Sequence, residues 1–250
     1  MRRVIFVWAS HDEHRNLVVE TFTLVGRLYH HTMILSVHIP KTAGVSIRNL
    51  LKEHFGPGFV TYYWTLTDAW GRNVPDVPVS ASCVHGHFQS DEFTGKFPQA
   101  KLITWVRDPV DRVVSSYYYR LREPDWKHPV CQVLHQQKLS LGDYAALPQV
   151  RNEMIHFFGS KKPEDFHFIG FVEEFERSLD AMGKLLKMAA CPPRHDNRNP
   201  EKTALRYELD PALRLKIMEL NEQDVDLYAR CRQIWNPVPA SEIIARCRIQ

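Results

Sequence analysis

A short stretch between residues 38 and 46, HIPKTAGVS, combines the side chains that proteins use to hold anions. Its lysine supplies a mobile positive charge, its threonine and serine supply hydroxyl donors, and its glycine lets the backbone come close to a bound group. The stretch follows an apolar run and precedes a helix-like segment, so unpaired backbone N–H groups should face the same anion. The sequence therefore predicts a phosphate-type site formed by Lys41, Thr42, Ala43, Gly44, Val45 and Ser46.

The order of residues in this stretch differs from the nucleotide-hydrolase loop G-x-x-x-x-G-K-[ST]. In that loop the lysine follows the last glycine, and the next hydroxyl holds magnesium. Here Lys41 comes three residues before Gly44, and Pro40 stands where the first glycine would be. The sequence therefore argues against ATP hydrolysis. Taken alone, the stretch is also compatible with a helix start that has an incidental lysine.

A second unit, KLITWVRDPVDRVVSSYYYRLRE, places Arg107 directly after a predicted strand at residues 101–106. Asp108 has the N-cap position of the following helix, and Pro109 has its first helical position. A guanidinium at this place can bind a phosphate through two parallel hydrogen bonds. Ser115 lies two helical turns after Asp108, on the side opposite the valines. The alternative is a structural ion pair between Arg107 and Asp108.

A third predicted strand at residues 81–86 leads into His87. A hydroxyl acceptor needs a base that titrates near neutral pH, and histidine is the usual residue for that purpose. In an extended segment His85 faces the same side and would orient His87 or touch the acceptor. Two alternatives remain open: Cys83, His85 and His87 as a partial zinc set without a fourth ligand, or a structural His87 among the chain's 13 histidines.

Strands that alternate with helices favour an α/β fold with a central, mainly parallel sheet flanked by helices. Ligands of such sheets bind beyond the carboxyl ends of the strands, where both basic turns lie. Further along, NEMIHFFG predicts a short helix, and FHFIGFVEEF predicts a strand that runs into a helix. Pro211 opens one long predicted helix, and Asp224 on its apolar stripe predicts that the helix meets water or a polar partner there. We predict loops at 57–80 and 123–140. For Trp105, Tyr117, Tyr118 and Tyr119 we predict core or sheet-covering positions, with a substrate platform as the alternative.

The bulk properties fit one domain. The chain has 250 residues, of which 44% are hydrophobic, and residues 1–32 match the rest poorly, so we expect an N-terminal appendage and a single domain at 33–250. A net charge of +3 is too small to indicate nucleic acid. Five scattered cysteines without a CxxC pair favour a reducing compartment. No apolar run approaches a membrane span, and we predict a cytoplasmic protein.

The two basic motifs together resemble the sulfotransferases that use 3′-phosphoadenosine 5′-phosphosulfate (PAPS), in particular the branch with the heparan and uronyl 2-O-sulfotransferases and their bacterial relatives. The similarity continues in HGHF, RNEMIHFFG, FIGFVEEFERSL and NRNP and spans about residues 33–235. It implies that the loop at 41–46 binds the 5′-phosphosulfate and that Arg107 and Ser115 bind the 3′-phosphate. It also implies that Arg198 and Asn199 close over the nucleotide.

The resemblance further implies His87 as the catalytic base and Lys41 as the group that stabilises the leaving phosphate. The expected reaction moves a sulfuryl group from PAPS to a hydroxyl of a carbohydrate or small molecule, releases 3′,5′-adenosine bisphosphate (PAP), and needs no metal. The alternatives are a nucleotide-dependent phosphotransferase of similar fold and a non-catalytic domain that binds nucleotides or sulfated glycans. Two positions depart from the family pattern, since Ala43 and Val45 replace the usual glycine and threonine.

Overall fold

The computed structural model describes residues 32–63, 77–78, 80–188 and 207–235. Its centre is a five-stranded, all-parallel sheet in the order β2-β3-β1-β4-β5. The strands are β1 (Ile34–Val37), β2 (Phe59–Tyr63), β3 (Cys83–His87), β4 (Lys101–Val106) and β5 (Phe168–Phe171). The predicted α/β fold with a central parallel sheet is confirmed. The predicted appendage lies outside the described residues, except for Thr32.

Helices cover both faces of this sheet. The helices are α1 (Gly44–Phe55), α2 (Pro109–Arg122), α3 (Pro129–Gln136), α4 (Leu141–Ala145), α5 (Glu153–Phe158), α6 (Phe175–Leu186), α7 (Pro211–Leu220) and α8 (Glu222–Trp235). Because side chains alternate along a strand, Leu35 and Val37 pack with residues of α5 and α8, while Ile34 packs with α1 and α6. All four residues of β1 are buried, as expected for a central parallel strand.

The turn after β4 has the predicted helix start. The side chain of Asp108 accepts a hydrogen bond from the backbone N–H of Asp111 at 3.1 Å, and Pro109 is the first residue of α2. The backbone N–H of Asp108 itself donates to Glu173 at 2.8 Å. Glu173 also accepts from the hydroxyl of Tyr228 at 2.9 Å. Residues distant in sequence therefore fix the position of the turn that presents Arg107.

Two segments that the sequence predicted as loops contain regular elements, and those predictions are wrong. The edge strand β2 lies within 57–80, and its residues are mostly half-buried or exposed. Its sequence FVTYY is rich in strand-forming residues, a signal that the loop prediction did not use. Helix α3 lies within 123–140. His128 accepts from the backbone N–H of Val130 at its start, which is a cap that sequence patterns do not predict because Ser, Thr, Asp and Asn dominate this position.

The predicted long helix after Pro211 is two helices, which corrects that prediction. The chain breaks at Asn221, whose side-chain amide donates to the carbonyl of Ile217 at 2.8 Å and accepts from the N–H of Asn152 at 3.0 Å. Asp224 is buried and accepts from the N–H groups of Met154 and Ile155, at 3.0 and 2.8 Å. The predicted polar partner of Asp224 is therefore confirmed, and it is the start of α5.

Arg112, the second arginine of the RDPVDR segment, is fully buried and joins three elements. Its guanidinium donates to Glu153 and to the carbonyl of Val150, at 2.9 Å for the latter, and lies 3.9 Å from Asp224. Removing one partner of a buried charge group leaves the others uncompensated. Arg112 thus stabilises the packing of α2 against α5 and α8.

We expect Arg112→Ala to lower the free energy of unfolding by about 3–5 kcal/mol, measured by urea denaturation. The matched control is Arg177→Ala, because Arg177 forms an exposed ion pair with Glu174 at 3.1 Å. Such a surface pair contributes about 1 kcal/mol or less. Equal losses in the two variants would contradict a stabilising role for the buried guanidinium.

Candidate active site

The candidate site lies beyond the carboxyl ends of β1, β3 and β4. Strand β1 pairs with β3 on one side and with β4 on the other. The loop after β1 therefore lies between His87, at the end of β3, and Arg107, directly after β4. This arrangement brings together three of the predicted site elements.

The loop at 38–43 ends in an uncapped helix start. Ala43, at the N-cap of α1, has φ 65° and ψ 20°, and no side chain caps the helix. The first-turn N–H groups at the start of α1 are consequently available to an anion. Thr42 is buried, and its hydroxyl donates to the carbonyl of Ile39 at 2.8 Å. In this structure the Thr42 hydroxyl shapes the loop, and Ser46 is buried in the first turn of α1.

Ala43 occupies a left-handed conformation that glycine adopts more easily, because a Cβ atom there costs about 1 kcal/mol. We expect Ala43→Gly to raise the free energy of unfolding by up to about 1 kcal/mol, less the extra freedom that glycine gains in the unfolded chain. The comparison is Ala181→Gly, at an exposed position in the middle of α6, where the backbone is helical and the same change should destabilise. Destabilisation by Ala43→Gly, measured by urea denaturation, would contradict the strain.

Two glycines of the site are required by close packing. A Cβ atom on Gly44 would lie 1.7 Å from Nε2 of His38, so the imidazole ring occupies the space of a side chain at the start of α1. A Cβ atom on Gly86 would lie 1.5 Å from the carbonyl oxygen of Tyr62 on the neighbouring strand. Gly86, which lies between His85 and His87 in β3, therefore lets β2 and β3 approach each other closely.

Positive charge is concentrated around Lys41. Burial, together with the positive charges of Arg107, Arg122 and Arg120, lowers the pKa of Lys41 to about 8. Arg107 is buried, and its Nη1 donates to the backbone carbonyl of Lys41 at 3.2 Å. Such a group of cations favours a ligand with several negative charges. The sequence did not predict a function for Arg120 and Arg122. Their basic segment, RLRE, was the only feature that could have indicated a role in anion binding.

Arg107 and Asp108 have other partners than the structural ion pair that the sequence left open as an alternative. Asp108 caps α2 and lies 3.8 Å from the guanidinium of Arg214. Arg107 instead joins the turn after β4 to the loop after β1. Its guanidinium is thus placed beside the candidate phosphate loop.

The aromatic residues of α2 differ from the core prediction. Tyr118 and Tyr119 are 37% and 38% exposed, so the prediction is wrong for them, while Trp105 is buried as predicted. Lys41 extends toward this face, and its Nζ lies 3.6 Å from the centroid of the Tyr119 ring. Tyr119 therefore provides a cation–π contact for the lysine.

His87 has the tautomer of a general base. Its Nδ1 lies 2.6 Å from the carbonyl oxygen of His38, and because a carbonyl only accepts, Nδ1 has the proton and Nε2 has the lone pair. Burial lowers the pKa of His87, against the opposing effects of the His38 carbonyl and the negative charge of Glu153. His87 is therefore neutral at pH 7, with Nε2 ready to accept a proton.

His85 is buried and lies behind His87 rather than on an open surface. Its Nδ1 forms a hydrogen bond of 2.9 Å with the hydroxyl of Ser36. Burial, together with the nearby His87 and Arg48, lowers its pKa to about 3. For the zinc alternative, burial raises the pKa of Cys83 and keeps its thiol protonated. Within the described part of the chain, no cluster of three or more His, Cys, Asp or Glu residues is arranged to hold a metal ion.

The remaining predicted residues are less well connected to this group. Ser115 is half-buried in the second turn of α2, and its neighbour Ser116 bonds to the hydroxyl of Tyr144 at 2.8 Å. Arg198 and Asn199 lie outside the described residues. No helix among the residues described is long and apolar enough to cross a membrane.

Comparisons with known proteins identify a family and a similar protein. A family model described as the sulfotransferase family matches residues 29–229, which is more than half of the chain. An uncharacterized protein of Archaeoglobus fulgidus is 21% identical over 242 residues, and the alignment covers 79% of this chain and 95% of that protein.

Sulfotransferases are also among the solved structures that align with this chain. A sulfotransferase from Alicyclobacillus acidocaldarius aligns with a TM-score of 0.43 and 17% identity, over 84% of this chain and 98% of that one. The mouse sulfotransferase SULT7A1 complexed with PAP aligns with a TM-score of 0.41 and 14% identity, over 64% of this chain and 60% of that one.

Proposed function

Because this chain belongs to the sulfotransferase family, we propose that it moves a sulfuryl group from PAPS to a hydroxyl group of a carbohydrate acceptor. The observation that supports this most is the bond between Arg107 and the carbonyl of Lys41. This bond joins the proposed anion site at the start of α1 to the buried guanidinium that directly follows β4, the neighbour of β1 in the sheet. A donor with two separated phosphate groups fits such a pair of sites.

In the proposed complex each phosphate has its own residues. The loop Lys41, Thr42, Ala43, Gly44, Val45 and Ser46 binds the 5′-phosphosulfate through the N–H groups of the first turn of α1. Arg107 and Ser115 bind the 3′-phosphate, since a guanidinium binds phosphate through two parallel bonds. Arg198 and Asn199 remain proposed as residues that close over the nucleotide.

The proposed transfer uses His87 and Lys41. Nε2 of His87 accepts the proton of the acceptor hydroxyl, a bond forms between that oxygen and sulfur, and the bond from sulfur to the bridging phosphate oxygen breaks. Lys41 stabilises the charge that develops on the leaving phosphate. Because a sulfuryl group has less charge than a phosphoryl group, cationic side chains suffice and the proposal includes no metal.

The carbohydrate acceptor is proposed from the resemblance to the 2-O-sulfotransferase branch, and a cytoplasmic location is proposed from the cysteine usage. Two other functions would fit a phosphate-binding site. They are phosphoryl transfer from a nucleotide and nucleotide or glycan binding without catalysis.

Nucleotide-dependent thermal stabilisation tests the donor. We expect PAP to raise the melting temperature without magnesium, and ATP with magnesium to have little effect. The reverse result would favour a phosphotransferase. Transfer of ³⁵S-sulfate from PAPS to a panel of oligosaccharides and small hydroxyl compounds then tests catalysis, and PAP binding without any transfer would favour a binding domain.

The pKa of Lys41 gives a pH dependence for PAP binding. Lys41 is protonated below its pKa of about 8, and only the protonated form attracts phosphate. We therefore expect PAP affinity to fall as the pH rises from 7 to 9, with proton uptake on binding near pH 8, measured by calorimetry in buffers of different ionisation enthalpy. Lys41→Met should remove this dependence, and a variant that keeps it would show that another group titrates.

A further inference from the structure

Three imidazole rings stack at the ends of β1 and β3. The ring of His38 lies 5.2 Å from that of His85, at 18°, and 4.4 Å from that of His87, at 24°. His38 is the first residue after β1, and no function was assigned to it from the sequence. It is the central ring, so it contacts the proposed base directly.

The orientation of His38 is fixed by two other side chains. Nδ1 of His38 lies 3.2 Å from the hydroxyl oxygen of Tyr63, and Arg48 forms a side-chain hydrogen bond with Tyr63. A guanidinium only donates, so the phenol oxygen accepts from Arg48, and the same hydroxyl group is the hydrogen-bond partner of Nδ1 of His38. Nε2 of His38 faces Gly44 at the start of α1.

His38 is held neutral in this position. Burial lowers its pKa well below the ordinary value for histidine, and the neighbouring His87, His85, Lys41 and Arg48 lower it in the same direction. A neutral ring can stack on the proposed base without placing a second positive charge beside it. The ring also covers one face of His87 and excludes water from it.

We propose that His38 is a positioning residue for the transfer step, and that the Arg48–Tyr63–His38 chain of hydrogen bonds holds the ring of His87 in the orientation in which Nε2 meets the acceptor hydroxyl. The carbonyl of His38 binds Nδ1 of His87, and its ring limits the rotation of the imidazole. The proposal rests on the proposed function of His87 as the base.

The test reads His87 directly and does not depend on turnover. Ring ¹⁵N chemical shifts of His87 are followed against pH in the wild type, in His38→Asn, which removes the stacked ring, and in Tyr63→Phe, which removes only the hydroxyl. His54→Asn, an exposed histidine on α1, is the matched control. The groups that face His87 are His38, His85, Tyr63 and Phe157, with Glu153 acting through its charge.

The wild type should show His87 with the proton on Nδ1. The backbone carbonyl of residue 38 remains in His38→Asn, but without the stacked ring the His87 imidazole can rotate away from it, so we expect a partial mixture of tautomers. We also expect a higher His87 titration midpoint, because water reaches the uncovered face. Tyr63→Phe should shift the His87 tautomer ratio and titration midpoint in the same direction by a smaller amount. His54→Asn should change neither the tautomer ratio nor the midpoint. We also expect kcat to fall about 10- to 100-fold in His38→Asn, with PAP affinity within about 2-fold of the wild type, since the ring does not hold the nucleotide.

A His87 tautomer and midpoint unchanged in both His38→Asn and Tyr63→Phe would overturn the positioning role, even if stability fell. If the His87 shifts change as expected but no variant or wild-type protein transfers sulfate, the proposed reaction is wrong and the positioning of His87 by His38 stands. The two failures are therefore distinguishable.

Discussion

Replacing His87 with alanine should lower kcat for sulfuryl transfer by about 10²- to 10⁴-fold, the usual contribution of a general base. The effect follows from the tautomer, because the bond to the His38 carbonyl leaves Nε2 as the proton acceptor. The dissociation constant of PAP should change by less than about 2-fold, since His87 does not belong to the proposed nucleotide site. Initial rates of ³⁵S-sulfate transfer and calorimetric PAP titration measure the two quantities.

The matched control for this experiment is His156→Ala, which removes an exposed imidazole from α5 and should leave kcat unchanged.

The wild-type rate of sulfuryl transfer should also decrease at acid pH, below the usual histidine pKa of about 6.5. Burial lowers the pKa of His87, and only the neutral form of the ring accepts a proton. Full activity of His87→Ala would remove the proposed role of this residue.

Replacing Arg107 with alanine should weaken PAP binding by about 10- to 100-fold, which corresponds to the loss of a charge-assisted hydrogen bond of about 1.5–3 kcal/mol. Two effects act together. The guanidinium would no longer bind phosphate, and the loop after β1 would lose the bond between Arg107 and the Lys41 carbonyl. Calorimetric titration with PAP measures the change.

Two further variants show what the loss of PAP affinity in Arg107→Ala depends on. Arg107→Lys keeps the positive charge but not the planar fork, and it should bind PAP with an affinity between those of the wild type and the alanine variant. Arg177→Ala removes an arginine of an exposed pair with Glu174 and should leave PAP affinity unchanged. If Arg107→Ala weakens PAP no more than Arg177→Ala does, Arg107 has no part in the nucleotide site.

The parts of the fold that were predictable are those determined by short-range patterns. Strand β4 and helix α2 have the predicted starts because an apolar run, an N-cap aspartate and a proline at the first helical position occur in succession. The central strand β1 was predictable because it is apolar throughout. The edge strand β2 also has strand-forming residues, but its place at the edge of the sheet depends on pairing with β3.

The same distinction between short-range patterns and long-range contacts applies to the candidate site. The phosphate loop and Arg107 lie next to predictable strands, so their proximity follows from parallel pairing of β1 and β4. The stacking of His38 on His87 could not be predicted, because it depends on the register of β1 against β3 and on Gly44 making room for the ring. The break at Asn221 depends likewise on its bonds to Ile217 and to Asn152 of another element.

The contact between Gly44 and His38 has a consequence for how this site can change over evolutionary time. Since the imidazole fills the volume in which a Cβ atom of residue 44 would stand, the two positions share one volume and cannot vary independently. Relatives with a larger residue at the position of Gly44 should have a smaller or differently directed one at the position of His38. Engineered libraries of this loop should therefore randomise positions 38 and 44 as a pair.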